Sequence, residues 1–479
     1  MKSYIDKYSM QLQLLFKILF LVHLLFSFNI ILVGTPIAKL VMAVSVFLGF
    51  ILLLTRLTQW KQIIFSFEGV VLLLFLISYI ISATVNMRYG INSGLKYFVW
   101  FCLLVGGVFW IDRNTKPDLI RREMITLSAV LLIIVTVTNI VSLALLISKY
   151  AGIYAGADGN YYVIGFASWG RLYGIYVDPN YGSVISCASI LAAIFCLSYT
   201  KRLIWKIILV LSVIPNIFYC AFSASRTGKI AIMVGSAIIV FVYLLKRFKR
   251  VYWLKSIAAA VCASVVSIAL INGVQAGYNK IQLYISESKQ NNTSNQTGNN
   301  TASNNTDKTD KPHENTDSNV TIIDRTEELN GDISNRRFDI WSSGLNIFKK
   351  NPVFGIGWNN TIAYVRENMP DSYLLGEVND LADFDIFHNS FIDVFVFQGL
   401  FGGILMIVLV VYTLILLIKK IVHRKYEPKM FAWSVAGIML CVFSGCVLSV
   451  LIYFNNAISY LFWLFLGYII YFGKSEEDA

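Results

Sequence analysis

This sequence reads as an all-α polytopic membrane protein, on three grounds. Hydrophobic residues fill 57% of its 479 positions and charged residues only 14%, too apolar a mixture for a soluble chain of this size. Twelve apolar runs approach or exceed the length of about 20 residues that a helix needs to cross a bilayer. Lys and Arg collect in alternate connections between those runs, as they do when helices cross a membrane back and forth.

The runs lie at about 14–33, 37–55, 68–85, 93–111, 125–147, 179–199, 203–221, 228–245, 254–272, 390–418, 430–450 and 454–472. The first contains Lys17 and His23 and no small-residue cleavage site follows it, so it is expected to remain as an anchor. Basic residues at Lys2 and Lys7, Arg56 and Lys61, Arg113 to Arg122, Lys201 to Lys206, Lys246 to Lys255 and Lys419 to Lys429 share one side if the runs alternate. That side is the cytoplasm by the positive-inside rule, which makes both termini cytoplasmic. The formal charge of +12 then faces anionic headgroups, and no clustered soluble basic surface suggests nucleic acid.

The seven cysteines, Cys102, Cys187, Cys196, Cys220, Cys262, Cys441 and Cys446, sit in apolar runs without CxxC spacing, so they read as small core residues. Of the four histidines, His23 is in the first run, His313 in a polar tract and His423 in a basic turn. His388 alone stands at a helix start in an outward, structured context.

The domain plan is residues 1–272 as nine membrane helices, 273–389 as one large outward loop, and 390–479 as three more helices with a cytoplasmic tail. From Ser286 to Asn319 the loop is Asn, Thr, Ser, Asp and Lys with almost nothing apolar, so it reads as a disordered tether. The part from Ser334 to His388 is expected to be structured and to carry the chemistry. There Phe338, Trp341, Leu345 and Phe348 recur every three or four residues, predicting a helix with a ring-bearing face against lipid or the bundle. Lys349, Lys350, Asn351 and Pro352 end that helix, and Gly355 and Gly357 allow a tight turn or a close approach to a ligand.

Two shorter outward segments end in helix starts. In WGRLYGIYVDPNYGSV (169–184), Asp178 is an N-cap and Pro179 a first helical residue. In CAFSASRTGKIA (220–231), Ser225, Arg226 and Thr227 stand at the mouth of the next helix. Helix N-termini attract anions, and a guanidinium binds phosphate oxygens in pairs, so Arg171, Arg226 and Arg337 with His388 suggest a diphosphate site. Taken singly, each arginine also fits a side chain snorkelling to headgroups.

The segments SASRTG (223–228), RLYGIYVDPNYGS (171–183), RFDIWSSGLNIFKKNPVFGIGWNN (337–360) and HNSFIDVFVFQGLFGG (388–403) together resemble the O-antigen ligase and polymerase superfamily. That superfamily includes Wzy-type polysaccharide polymerases and the capsule and teichuronic acid polymerases. The resemblance runs over roughly residues 165–415 in the family's order. It implies a GT-C-like fold and a glycosyltransferase that uses no metal and no other cofactor. The implied partners are a glycan donor and acceptor on undecaprenyl diphosphate, the bilayer, and by family habit a flippase and a chain-length regulator. By position His388 is its general base, and Arg171, Arg226 and Arg337 bind the diphosphate. Ser225, Asn180, Trp341 and Asn389 are the candidate substrate-binding residues, and Asp385, one helical turn before His388, reads either as a carboxylate orienting it or, the reading preferred, as part of a solvated acidic loop.

Elementary chemistry agrees with this. Beyond the membrane no nucleotide sugar is at hand, so a donor must carry its own leaving group, and a lipid diphosphate does. Arginines and helix N-termini can take its charge, and an imidazole can take the acceptor's proton. The pair Asp383 and Asp385 resembles a metal diad only loosely. Two rivals stand: a ligase passing the glycan to a lipid, protein or wall polymer, and a lipid-linked glycan flippase. Transporters show internal repeats and ionisable residues at mid-membrane, and no repeat is visible here.

Overall fold

The computed structural model describes residues 2–90, 92–167, 170–248, 253–297, 322–323, 336–379, 382–422 and 427–474. His313, His423 and the tract 298–319 therefore lie outside the described residues. Fourteen main helices order the chain: α1 Lys2–Ser27, α2 Pro36–Arg56, α3 Phe67–Val85, α4 Asn92–Leu103, α5 Pro117–Ile147, α6 Pro179–Leu197 and α7 Leu203–Phe222, then α8 Arg226–Arg247, α9 Trp253–Thr297, α10 Arg337–Lys350, α11 Thr361–Asn368, α12 Ser390–Val422, α13 Pro428–Gly445 and α14 Ala457–Lys474. Among the described residues ten helices are long and apolar enough to cross a membrane. Two shorter apolar helices, Gly94–Phe109 and Ala457–Gly473, coincide with the fourth and twelfth apolar runs.

The most enclosed of these is α6, which packs on α5, α7, α8 and α13. Its sequence explains why. Gly, Ser and Ala recur through PNYGSVISCASILAAIFCL, and small residues let helices approach closely where lipid provides no hydrophobic drive. A Cβ on Gly182 would sit 2.6 Å from the Tyr219 hydroxyl, and one on Gly228 would sit 1.9 Å from Ser183 Oγ.

Basic turns meet at one end of the bundle, where Arg113 pairs with Glu68 at 3.9 Å, Arg121 with Glu427 at 3.7 Å, and Lys429 Nζ donates to Ser198 O at 2.6 Å. Deeper lies an ion pair between Lys17 and Glu123 at 2.6 Å, with the Tyr468 hydroxyl donating to the same carboxylate oxygen at 2.8 Å. Six residues of π-helix, Leu104–Phe109, continue α4 nearby. Wider turns leave carbonyls without their usual partners. Gln13 Nε2 donates to Gly107 O at 3.3 Å and to Trp110 O at 2.8 Å, and Arg56 reaches Gly106 O and Trp110 O.

The opposite end carries the segments read as outward, and it shows four features that the sequence reading did not specify. Between α5 and α6 lies a small antiparallel sheet, β1 Ala151–Ala155, β2 Tyr161–Ala167 and β3 Arg171–Gly174, within the all-α frame that the sequence predicted. The ninth helix runs to Thr297, so residues 286–297 are helical where a tether was expected. The predicted helix at 337–350 forms and ends at Lys350, and of the two placements expected for its ring-bearing face it takes the outward one. Ile340, Ser343, Gly344 and Ile347 are buried, while Phe338 and Leu345 are 66% and 45% exposed. A Cβ on Gly344 would meet Phe387 at 2.7 Å, so the contact with α12 admits only a small residue there, and rings could not serve.

Last, α12 is two helices joined at Gly399, whose φ of 66° and ψ of −160° no side chain would favour. The break frees carbonyls that the turn after α10 takes up. Ile356 N donates to Val396 O at 2.9 Å, Gly357 N to Phe397 O at 3.0 Å, and Leu400 N to Pro352 O at 2.7 Å. Gly355 and Gly357 have φ of 66° and 77°, so they make the tight turn, and the partner that Gly355 approaches is α12 itself: a Cβ there would lie 2.4 Å from Val396 O. Among the cysteines Cys187, Cys196, Cys220 and Cys441 are buried, whereas Cys262 is exposed.

Candidate active site

Asp178 caps α6 with its side chain, accepting from the backbone N–H groups of Asn180 and Tyr181. Ser225 caps α8 in the same way, accepting from Gly228 N at 3.1 Å. Two helix N-termini, each short of backbone partners and partly positive, therefore open toward one place.

Arg171, the first residue of β3, holds them together. It is 7% exposed, and its Nε donates to Ser223 O and its Nη2 to Asn180 Oδ1, both at 2.9 Å. Ser225 Oγ donates to the same Asn180 oxygen at 3.0 Å. Arg171, Asn180 and Ser225 are thus one network, with Arg226 next in the chain as the first residue of α8, half-buried.

His388 sits just before α12 with φ of 48°, a left-handed conformation uncommon outside glycine. Its ring is partly accessible and meets the Phe384 ring edge-on at 6.3 Å. Its imidazole nitrogens meet no hydrogen-bond partner among the described residues. Burial first, then the Arg337 guanidinium, hold the imidazole below its ordinary pKa, while Asp178 and Asp385 oppose them. Arg337, His388 and Asp178 therefore share one electrostatic neighbourhood, and Asp178 lies two residues from Asn180. The two halves of the site join there.

Several predicted residues take other duties. Asn389 Oδ1 caps α12, accepting from Phe391 N at 3.0 Å and Ile392 N at 3.2 Å, while its Nδ2 donates to Cys446 O at 2.9 Å. Its side chain belongs to the scaffold of this end of the bundle. Asp385 is exposed on irregular backbone, not a helical turn before His388, and makes no hydrogen bond to it among the described residues. Asp178 acts on the imidazole more strongly than Asp385 does. Trp341 is half-buried on α10, and its enclosed ring N–H meets no partner among the described residues. In the acidic run, Asp383 pairs with Arg366 at 2.9 Å and accepts from Gly376 N at 2.8 Å.

Two residues escaped the sequence reading. Asp393, 1% exposed and one turn into α12, accepts from Phe387 N at 3.3 Å and so ties down the backbone beside His388. A carboxylate inside an apolar run was its signal. Lys229, one turn beyond Arg226, donates to Asn272 Oδ1 at 2.7 Å and Gln275 Oε1 at 3.1 Å, a cation held by neutral amides.

Fold and site define a multi-pass membrane protein in which Arg171 and Asn180 tie two helix N-termini together, while Asp178 and Arg337 act on the imidazole of His388. The comparison with known families narrows this: residues 210–407 match the family described as O-antigen ligase, which supports the O-antigen ligase and polymerase superfamily. The matched stretch contains Arg226, Arg337 and His388 and stops short of Arg171 and Asn180. The family implies glycosyl transfer in glycan processing, and nothing supports a flippase. Among curated proteins none matches the chain.

Proposed function

We propose that this chain is a polysaccharide polymerase that joins undecaprenyl-diphosphate-linked repeat units on the outer face of the cytoplasmic membrane, with both termini inside. The observation that carries this is the convergence on His388 of Arg337 and Asp178, the latter capping the helix that Arg171 ties to the start of α8.

In the reaction the acceptor hydroxyl oxygen bonds to the donor's anomeric carbon as the bond from that carbon to the diphosphate oxygen breaks. The electron pair leaves with undecaprenyl diphosphate, and the acceptor proton passes to His388. An imidazole with a depressed pKa is neutral near pH 7 and ready to accept it. Asp178 then steadies the imidazolium. Arg226 and Arg337 face the departing charge, assisted by the α6 and α8 N-termini, a role that needs no metal. Arg171 adds charge and holds the two helix ends in place.

The test uses purified protein in vesicles that hold only the lipid-linked repeat unit. A ladder of longer lipid-linked glycans, formed equally with chelator present, supports the proposal. The family description favours a second reading, transfer to another acceptor. In that case the ladder is absent and a product forms only when a lipid, protein or wall acceptor is added. No new glycosidic bond under either condition would refute both.

A further inference from the structure

The sheet between α5 and α6 has two unlike faces. Side chains alternate across a strand, and Tyr154, Tyr162 and Ile164 pack inward around Ile30 and Ile175. On the other face Ile153 and Tyr161 are 75% and 79% exposed. In the register of the hairpin Ile153 lies opposite Val163, and Ala155 opposite Tyr161, so the exposed face is apolar with no charged side chain.

The hairpin begins four residues after α5 ends, and Ile147 and Tyr150 at that junction are 83% and 49% exposed. They continue a stripe of exposed apolar residues, including Ile133, Val137 and Ile140, on α5, a helix long and apolar enough to cross a membrane. At its far end the hairpin turn rests on Gly34, where a Cβ would lie 2.4 Å from Asp158 N. Gly34 directly precedes the cap of α2, whose first turns expose Ile37 and Leu40 at 63% and 64%. Both ends of the hairpin are thus pinned where an apolar helix emerges at the same end of the bundle.

We infer that the hairpin β1–β2 is an interfacial anchor, its Ile153 and Tyr161 face set among the phospholipids of the leaflet at the active-site end. Depth follows from the backbone. As an edge strand β1 carries unpaired N–H and C=O groups, which hydrocarbon cannot satisfy but the hydrated headgroup region can. Tyrosines such as Tyr150 and Tyr161 favour that layer, and Lys149 beside them suits anionic headgroups. Because β3 pairs with β2 and opens with Arg171, the anchor sets the height of the site against the lipid surface where a lipid-borne substrate would travel.

The test needs no catalysis, so it stands or falls apart from the proposed function. A diazirine-bearing residue replaces Ile153, Tyr161 or, as an inward control, Tyr154. Each full-length variant is reconstituted in vesicles of phosphatidylethanolamine and phosphatidylglycerol, irradiated and digested. Lipid adducts at positions 153 and 161 should exceed those at 154 by at least about threefold, as burial in the headgroup and acyl boundary requires. Adducts no more frequent than at 154, or crosslinks chiefly to a second copy of the chain, would overturn the inference.

Discussion

Arg171→Lys separates a scaffold role from a purely ligand-binding one. The substitution keeps the positive charge and removes the planar fork. In a site 7% exposed, the guanidinium joins Ser223 O and Asn180 Oδ1 from two nitrogens at 2.9 Å each. A single ammonium on a flexible stem cannot reproduce this two-nitrogen fork, so at least one charge-assisted hydrogen bond is lost. A hydrogen bond to a charged group contributes about 1.5–3 kcal/mol, so the variant should lose about 2 kcal/mol of stability. The measurement is the unfolding free energy in bicelles by steric trapping, with a cycle that adds Asn180→Ala. Contact through a shared hydrogen bond should give a coupling of about 1 kcal/mol or more. Arg226→Lys, at a half-buried helix start, should abolish chain growth while changing stability by less than about 1 kcal/mol. An Arg171→Lys protein as stable as the parent, with no coupling to Asn180, would refute the assignment of Arg171 to the scaffold.

His388→Ala should leave the protein folded and inserted while polymer ladders vanish, and a ladder of normal length would remove the imidazole from the mechanism. The acid limb of the pH–rate profile should lie below pH 6.5, and its movement has a definite sign. Arg337→Gln removes a cation that disfavours the imidazolium and should move the limb up, while Asp178→Asn removes an anion that favours it and should move the limb down. Parallel shifts in the two variants would contradict that electrostatic arrangement. Glu123→Gln leaves Lys17, fully enclosed, without its partner and should cost about 3–5 kcal/mol, largely recovered in the double variant with Lys17→Met; urea or SDS titration measures both. Gly399→Ala would put a methyl 2.3 Å from Val353 O at a backbone angle that only glycine accepts, and should cost more than about 2 kcal/mol.

Much of the local structure was legible in the chain. Asp178 caps its helix as its place before Pro179 and an apolar run predicted, and Ser225, read at the mouth of the next helix, caps that one, because capping depends on groups within three residues. Helix α10 ends at Lys350, ahead of Asn351 and Pro352, for equally local reasons. Which of its faces turns inward was left open by the sequence. The ring-bearing side has the stronger hydrophobic signal, but Phe387 and Ile392 crowd Gly344, and that contact spans more than forty residues of sequence. Asn389 and Asn180 show the same limit. Both are polar residues at helix starts, yet one is consumed by its own helix and Cys446 O, and the other faces Arg171 and Ser225.

What the amino-acid sequence settled alone was anything carried by short-range chemistry: the apolar runs, the helix caps, the glycine turn and the residue types fit for a diphosphate and a proton. Tertiary structure decided which of them meet. Asp178 and His388 stand 210 positions apart, and they act on each other because α6 and α12 present their N-termini at the same end of one bundle. Hydropathy and periodicity report how a segment meets its solvent, whereas packing selects its neighbours. The break at Gly399, the hairpin and the network around Arg171 all exist because backbone groups and side chains distant in sequence complete one another's hydrogen bonds.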